Sequence, residues 1–472
     1  MSAAEFDDLG DRQRPHLIVV GGGLAGLTAA IDAIDRDWQV TLFDARPRLG
    51  GATWSFARKG LMFDNGQHVY LACCDSYRRY LNRIGMTEMS PLSRLAIPVL
   101  QPDPSGAAPR LSWIRRNGLP APLHLAASLG SYRYLSLGER VAIGRAALAI
   151  RRLRLDDPHL DTETFASFLL RHGQSPRSIE VLWDLIALPT INVRAKEASL
   201  LMAAKVFQTG LLARADAADI GWSRIPLTQL HVDPALGILT AAGARVHASA
   251  KVSEVLLDDE RRRVTGVRVD GERYFADAVV LAANAESVAE LLPAEAGVDT
   301  AGIDALGNSP IIDVHLVFDR KVMDYRLASG IDSPVQFVFD ATESAGLDPE
   351  RGQSIAISIS GADEEHGERP EVLIDRYRGA LAELFPRVRE AELIDGVVSR
   401  EHRATFRAGV GSQRKRPGVA TDLSNLVMAG TYTDTGWPAT MEGAVRSGAL
   451  AIATLAGVQP FSTTPSLLKE AI

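Results

Sequence analysis

Cysteine is nearly absent from this chain. Among 472 residues only Cys73 and Cys74 carry thiols, and the two are adjacent. Neighbouring cysteines cannot join distant segments, and one pair cannot supply the four ligands of a structural zinc site. The sequence therefore predicts a reduced thiol pair, with a strained vicinal disulfide as the alternative. No metal site is expected.

Long apolar runs and an excess of positive charge are also missing. No stretch approaches the roughly 20 uninterrupted apolar residues that a membrane-spanning helix needs. The first apolar stretch is broken by glycines and Asp32, and it follows the polar segment AEFDDLGDRQR, which is unlike a signal peptide. A formal net charge of −7 gives no support for nucleic-acid binding. We expect a cytoplasmic protein without a nucleic-acid partner.

The segment HLIVVGGGLAGLTAAIDAIDRDWQVTLFDARPRLGG, residues 16–51, carries most of the information. An apolar strand at residues 17–20 leads into a G-x-G-x-x-G turn, and a helix follows. A second strand at residues 39–43 ends in an acid about 20 residues after the middle glycine, where a carboxylate binds ribose hydroxyls. An acid there argues against a 2′-phosphate, and hence against NADP. We predict dinucleotide contacts from Gly21, Gly23, Leu24, Ala25, Gly26, Asp44 and Ala45.

The continuation Arg46-Pro47-Arg48-Leu49-Gly50-Gly51 separates FAD from NAD. It resembles the R-x-G-G signature of the flavoprotein superfamily that contains amine oxidases and phytoene desaturases. The resemblance implies that Arg48, Gly50 and Gly51 lie against the diphosphate and ribityl part of FAD. Many relatives continue with arginine where this chain has Ala52, so any contact from that arginine is absent or supplied elsewhere.

Periodicity divides the rest of the chain. Residues 164–208 show apolar positions three and four apart, which is typical of helices. Residues 243–284 and the segments 311–319, 334–340 and 354–360 have strand patterns, and the alternation in the last three predicts a sheet covered on one side. Residues 426–448 predict a short apolar strand, a turn at Gly430, a polar loop and a helix beginning near Thr440.

At 472 residues the chain exceeds the size at which one core stops growing, so two domains are expected. We predict an α/β fold in which a Rossmann-like FAD-binding domain, residues 1–86, 232–296 and 406–472, is interleaved with a mixed α+β substrate domain. The substrate domain takes residues 87–231 and 297–405. The superfamily resemblance further implies that Val252 presents its backbone to adenine.

The C-terminal segment LVMAGTYTDTGWPATMEGAVRSG, residues 426–448, is the second cofactor element. A helix N-terminus here would stabilise the negative charge that develops at N1 and O2 of a reduced flavin. The predicted cofactor contacts in this segment are Gly430, Asp434, Trp437, Thr440, Met441 and Glu442.

Residues 436–448 also resemble, nearly letter for letter, the C-terminal signature of the squalene-associated FAD-dependent desaturases, the hydroxysqualene dehydroxylase family. Asp64-Asn65-Gly66-Gln67-His68 is similar to that family's D-N-G-Q-H element, and further similar stretches lie at residues 182–199 and 233–236. Asp44 departs from the family, where glutamate is usual. The resemblance extends from about residue 16 to residue 457 and implies the same superfamily fold.

The resemblance implies reductive dehydroxylation of hydroxysqualene, a C30 allylic alcohol, to squalene for hopanoid or triterpenoid synthesis. Acid-assisted loss of water gives an allylic cation, which accepts hydride from N5 of reduced FAD. His68 is the candidate acid, since histidine donates protons near neutral pH, and a histidine that bonds a backbone carbonyl is the alternative. Asn65, Gln67, Asn192 and Trp437 are candidate substrate contacts, although Asn192 also fits a helix cap. An external electron donor is implied but not identified.

Residues 119–155 combine apolar side chains with six arginines, Arg133, Arg140, Arg145, Arg151, Arg152 and Arg154. This composition fits an amphipathic surface at a membrane interface and equally fits an ordinary solvated helix face. Peripheral contact with a membrane is therefore one prediction.

Three other functions stay open. A desaturase of carotenoid precursors would share the cofactor elements and oxidise its substrate. A flavin amine oxidase would need an aromatic cage, half of which Trp437 would provide, and usually a lysine near N5. A non-catalytic isoprenoid carrier would have lost the flavin, which the intact glycine turn and Asp44 argue against.

Overall fold

The computed structural model describes residues 14–457. The acidic N-terminal segment and the ends of the predicted FAD domain, residues 1–13 and 458–472, lie outside this range. The strands are β1 (His16–Val20), β2 (Gln39–Phe43), β3 (Ser55–Arg58), β4 (Leu61–Asp64), β5 (Val69–Leu71), β6 (Leu92–Ser93), β7 (Ala96–Gln101), β8 (Arg110–Arg115), β9 (Ile220–Trp222), β10 (Arg245–His247), β11 (Val252–Leu257), β12 (Val264–Val269), β13 (Glu272–Phe275), β14 (Ala278–Leu281), β15 (Asn308–Phe318), β16 (Leu327–Gly330), β17 (Phe337–Asp340), β18 (Gln353–Ser360), β19 (Leu393–Phe406) and β20 (Leu426–Met428).

The α-helices follow the apolar periodicity of the sequence. They are α1 (Leu24–Ile34), α2 (Asp75–Arg83), α3 (Ala126–Gly130), α4 (Leu137–Arg152), α5 (Phe165–Arg171), α6 (Pro176–Ser178), α7 (Asp184–Ile191), α8 (Leu200–Phe207), α9 (Asp233–Ala241), α10 (Ala285–Leu291), α11 (Thr300–Asp304), α12 (Pro370–Leu384) and α13 (Met441–Leu455). Side-chain caps fix several starts: Ser136 and Glu139 form a capping box on α4, and Thr440 caps α13. None of the helices described between residues 14 and 457 is long and apolar enough to cross a membrane.

A five-stranded parallel sheet, ordered β10-β2-β1-β14-β20, forms the first layer. Its strands are short and apolar, and both faces are covered, as all-parallel sheets require. Helices α1 and α13 pack on one face, beside Leu17 and Val19 of β1, while Ile18 and Val20 face the core on the other side. The predicted Rossmann-like α/β arrangement is therefore confirmed, and β20 pairs directly with β14 despite their separation in sequence.

A seven-stranded mixed sheet, ordered β19-β15-β18-β17-β16-β7-β8, forms the second layer. The alternation in β15 and β18 predicted a sheet covered on one side, and this prediction is wrong. Alternate residues Ile312, Val314 and Leu316 pack under α12, but the opposite face is also buried and carries Asp313 and His315. The reason is that the second face lies against the hairpin β3–β4 and the loop that follows it, as described below.

The helical prediction for residues 164–208 is confirmed by α5 to α8. These helices pack around Phe165, Trp183 and Phe207, whose rings contact one another. Cys73 and Cys74 are buried and both thiols are free, as the sequence predicted.

Candidate active site

The glycine turn between β1 and α1 has no room for side chains. A Cβ on Gly26 would lie 1.9 Å from the carbonyl oxygen of Gly21, and Gly21 itself has φ +109°. The amide of Gly50 donates to the carbonyl of Gly22 at 2.8 Å, which brings the second glycine pair onto the first. No side chain caps the N-terminus of α1. Its amides are therefore available to an anion.

Asp44 lies at the carboxyl end of β2, against this turn. Its Oδ2 accepts a hydrogen bond from the Gly22 amide at 2.7 Å, and its Oδ1 accepts one from the Arg46 amide at 2.8 Å. Each carboxylate oxygen retains a further lone pair for a ribose hydroxyl. The backbone of Asp44 also accepts from the Ala250 amide, so the start of β11 at Val252 lies in the same region.

Arg48 supplies an unsatisfied donor next to the glycine pair. Its guanidinium stacks on the Trp54 ring at 3.5 Å, and its Nη1 is buried without a hydrogen-bond partner among the described residues. Burial, followed by repulsion from Arg46, lowers the pKa of Arg48. A buried guanidinium nitrogen without a partner is costly unless a ligand completes it.

The C-terminal segment reaches the same sheet through β20. After it, the Gly430 amide donates to Ser447 Oγ, and Thr440 caps α13 by accepting from the Gly443 amide. Helix α13 crosses α1 so closely that a Cβ on Gly448 would lie 2.2 Å from the Ala25 carbonyl oxygen. The contact fixes the N-terminus of α13 relative to the glycine turn.

Two residues of this segment that were predicted to contact the cofactor, Glu442 and Asp434, also bond other groups of the protein. Glu442 is buried, binds Arg446 at 2.6 Å and accepts hydrogen bonds from the amides of Ser76 and Tyr77, at the N-terminus of α2. We therefore assign Glu442 to the attachment of α2 to α13. Asp434 is exposed and accepts from the Gly436 amide, which shapes the loop.

Two cations lie close to the ring of Trp437. The Arg446 guanidinium is 4.8 Å and the Lys205 ammonium 5.4 Å from its ring centroid. Burial, followed by repulsion from Arg446, lowers the pKa of Lys205.

The loop of residues 65–68 is joined to the glycine pair through Asn65. Its Nδ2 donates to the Ala52 carbonyl and to Glu401 Oε1, and its Oδ1 accepts from the Trp54 amide. These bonds occupy the Asn65 amide, so we assign it to positioning the loop instead of to substrate. They also place the loop immediately beside Gly50 and Gly51, which contact the glycine turn.

Beside this loop lies a group of titratable side chains, called here the polar cluster. Four are buried, namely Asp64, His231, Asp313 and His315, and two are half-buried, namely His68 and Glu401. Burial raises the pKa of Asp313 to about 7 and that of Asp64 to about 6, in spite of the hydrogen bonds they accept. Burial lowers the pKa of His315 to about 4 and that of His231 to about 3. Burial thus penalises the charged form of all four groups, which keeps the two imidazoles neutral near neutral pH and allows Asp313 to hold a proton there.

Hydrogen bonds connect the cluster to the loop above it. The Gln67 amide donates to Asp313 Oδ1 at 3.1 Å, while Ser358 bonds the same carboxyl. His315 bonds the backbone of Asp64, and Tyr77 bonds His231 Nε2 at 2.7 Å. His231 Nδ1 and His315 Nε2 are buried without partners in the described part of the chain.

His68 is half-buried, and its Nδ1 lies 2.8 Å from the Gly66 carbonyl oxygen. A carbonyl only accepts, so Nδ1 carries the proton and Nε2 is left for another partner. Burial lowers the pKa of His68, whereas the Gly66 contact and the Glu401 carboxylate raise it. The carbonyl contact that the sequence left as an alternative is therefore present, and Nε2 has no hydrogen-bond partner among residues 14–457.

A cavity of about 240 Å³ lies beside Asn65. Its walls are mostly apolar: Trp54 and Phe56 on the hairpin side, and residues 397–401 of β19 on the other. Asn192 does not join this region. Its amide bonds Ser309, Thr405 and Gly361, and with φ +58° it ends α7, so we assign it to packing.

Sequence reasoning missed Asp313, His315, Glu401 and His231. Asp313 and His315 are two residues apart in an otherwise apolar strand, and this pairing on one strand face was a usable signal. No comparable signal marks Glu401, which belongs to a long strand rich in charged residues.

The family model of flavin containing amine oxidoreductases matches residues 24–454. A hydroxysqualene dehydroxylase from Rhodopseudomonas palustris is 28% identical over 91% of this chain and 96% of its own length. A zeta-carotene desaturase from Synechocystis sp. is 24% identical over 92% and 95%. The solved cyclohexylamine oxidase from Brevibacterium oxydans superposes with a TM-score of 0.68 at 17% identity, over 94% of this chain and 99% of its own.

Proposed function

The chain belongs to the flavin containing amine oxidoreductase family, and from this premise we propose that it removes the hydroxyl group of a long allylic isoprenoid alcohol. The chain is an FAD-dependent oxidoreductase. The proposed substrate is hydroxysqualene and the proposed product squalene, for hopanoid or triterpenoid synthesis. The full-length similarity to a hydroxysqualene dehydroxylase supports this choice.

The residues around the glycine turn fit FAD. The uncapped N-terminus of α1 and the unpartnered Nη1 of Arg48 suit a diphosphate, and the remaining lone pairs of Asp44 suit a ribose. The first turn of α13, at Met441, would offer amides to the electron-rich end of the flavin ring. When bound and reduced, FAD supplies the hydride of the reaction.

The observation that carries the proposal is the buried carboxyl of Asp313 in the polar cluster, which lies next to the loop of residues 65–68 and can hold a proton. Loss of a hydroxyl as water consumes a proton, whereas desaturation of a hydrocarbon requires no acid. Asp313, with a pKa raised by burial to about 7, holds a proton on its carboxyl near neutral pH, directly behind the Gln67 amide. The loop of residues 65–68 bonds Ala52, which follows the glycine pair Gly50 and Gly51. The proposed proton source and the proposed FAD site therefore lie on neighbouring segments.

His68 would form a hydrogen bond to the substrate hydroxyl through Nε2. Because Nδ1 is committed to the Gly66 carbonyl, Nε2 donates a proton only when the ring is an imidazolium. Burial opposes that charged form and lowers the pKa of His68, while the Gly66 contact and the Glu401 carboxylate partly offset it. We propose that His68 binds the hydroxyl and delivers the proton from Nε2, while the apolar side chains of Trp54 and Phe56 exclude water.

The remaining parts of the proposal follow from the substrate. A C30 alcohol partitions into bilayers, so we propose that it is taken up at the cytoplasmic surface of a membrane. An external donor must reduce the flavin before each turnover, because the reaction consumes two electrons.

A carotenoid-precursor desaturase is the second candidate, favoured by full-length similarity to a zeta-carotene desaturase. It differs from the first in direction: the substrate is oxidised and no water is lost. The two candidates therefore need opposite oxidation states of the flavin at the start of turnover.

Anaerobic single turnover tests the proposal. Photoreduced holoenzyme mixed with hydroxysqualene should yield squalene, with reappearance of the oxidised flavin absorbance. Oxidised holoenzyme that instead bleaches with phytoene or zeta-carotene, while reduced enzyme leaves hydroxysqualene intact, would establish the desaturase. Bleaching by an amine would establish an amine oxidase, and folded protein that takes up no FAD would indicate a carrier.

A further inference from the structure

Helix α4 has apolar side chains on two opposite faces. Ala142, Ile143, Ala146 and Ile150 are buried against the rest of the protein. On the outward side, Leu137 is 76%, Val141 70% and Leu148 47% exposed. Single exposed apolar residues are ordinary on protein surfaces, but these three follow one another at helical spacing along one stripe.

Further exposed apolar side chains lie just before α3 and α4 in the sequence. The loop that leads towards α3 exposes Leu119 by 49% and Leu123 by 55%. Helix α3 contacts α4, and the Arg140 guanidinium donates to the Gly130 carbonyl at the end of α3. Half of the large apolar side chains that stand exposed in the described chain thus come from residues 119–170.

Positive charge without a partner accompanies this stripe. Arg145, Arg151 and Arg152 are exposed, and none of them forms an ion pair with a residue between 14 and 457. Glu139, the acid of α4, is engaged by Ser136 in the capping box and by Ser175. The chain as a whole has a net charge of −7, so this face is opposite in sign to the molecule that carries it.

We propose that the outward face of α4 docks on a bilayer that contains anionic lipid. Leu137, Val141 and Leu148 enter the boundary between headgroups and acyl chains, and the arginines bind lipid phosphates. A membrane fits this face better than a second copy of the chain, since two such faces would bring their unpaired arginines together. The inference takes from the proposed function only the insolubility of the substrate, and its test uses no substrate.

Flotation of the holoenzyme with vesicles tests the proposal. We expect binding to phosphatidylcholine vesicles that contain phosphatidylglycerol, and weaker binding to phosphatidylcholine alone or at high salt. The variant L137Q/V141T/L148Q should lose binding by about tenfold or more, since each change removes an apolar group from the interface. The variant R145Q/R151Q/R152Q should lose the preference for anionic vesicles.

Matched controls lie elsewhere on the surface. Ile394 is 51% exposed on β19, and I394Q should bind vesicles as the wild type does. A cysteine placed at Val141 can be labelled selectively, because Cys73 and Cys74 are buried. An environment-sensitive dye at position 141 should shift to the blue on anionic vesicles, whereas the same dye at position 394 should not.

Three results would overturn the proposal. The first is that the wild type does not bind vesicles, and the second is that the wild type and L137Q/V141T/L148Q bind them equally. The third is that light scattering shows a dimer of the wild type that this variant no longer forms, while its vesicle binding is unchanged. The last would identify a second copy of the chain as the occupant. Squalene formation in detergent is measured separately, so failure of docking and failure of the proposed reaction are distinguishable.

Discussion

The buried carboxyl of Asp313 makes a prediction about stability and pH. Its side chain is 1% exposed, and burial raises its pKa from an ordinary 3.8 to about 7. Between those values the native protein keeps a proton that the unfolded chain releases. The stabilisation by the protonated carboxyl is therefore fully present below about pH 4 and is lost as the pH rises towards 7. The difference between the two pKa values corresponds to about 4 kcal/mol of unfolding free energy.

The substitution Asp313→Asn removes this dependence. Asparagine has the shape of the protonated acid, and its Oδ1 can still accept from the Gln67 amide. The unfolding free energy of the variant, measured relative to that of the wild type, should rise by about 4 kcal/mol between about pH 4 and about pH 8. Urea unfolding of the two holoenzymes, followed by tryptophan fluorescence at several pH values, measures this difference.

Asp259→Asn is the matched control, because Asp259 is exposed. Its stability should follow that of the wild type at every pH. If the difference between Asp313→Asn and the wild type stays constant over the same range, Asp313 holds no proton near neutral pH. The claim that the polar cluster stores protons would then fail, and with it the main support for dehydroxylation.

Three further outcomes follow from the packing. Gly448→Ala should lower bound FAD per chain, measured by flavin absorbance, because its Cβ would lie 2.2 Å from the Ala25 carbonyl oxygen; normal flavin content would refute the close crossing of α13 and α1. Glu442→Gln should destabilise the protein by about 3 kcal/mol in urea unfolding, since it removes a buried charge that pairs with Arg446. His68→Ala should keep its flavin and lose most turnover, and unchanged turnover would eliminate the acid role. Turnover of the wild type should fall as the pH rises through a midpoint below 6.5, since burial lowers the pKa of His68.

The glycine turn was predictable because its parts are close in sequence. Gly21, Gly26 and Asp44 belong to one strand–turn–helix–strand unit, in which local geometry alone dictates that residue types recur at fixed spacing. The helix that starts after Thr440 was predictable for the same reason, from its cap and periodicity. The fold class and the FAD cofactor therefore follow from short segments.

The hydrogen-bond partners of the polar side chains were not predictable from short segments. Asn65, Asn192 and Glu442 were candidates for binding substrate or cofactor, and in the structure each bonds other groups of the protein itself. A polar residue in a motif does not reveal whether its partner is a ligand or another segment, because that depends on what folds against it.

The sequence by itself determined that this chain forms a parallel sheet around a dinucleotide. Only the tertiary structure decided which acids meet the loop of residues 65–68. Asp313 and Glu401 come from strands more than 200 residues further along the chain, and packing on both faces of the sheet removes Asp313 from water. Desolvation, which no local pattern encodes, is what raises the pKa of Asp313 into the range where it can hold a proton.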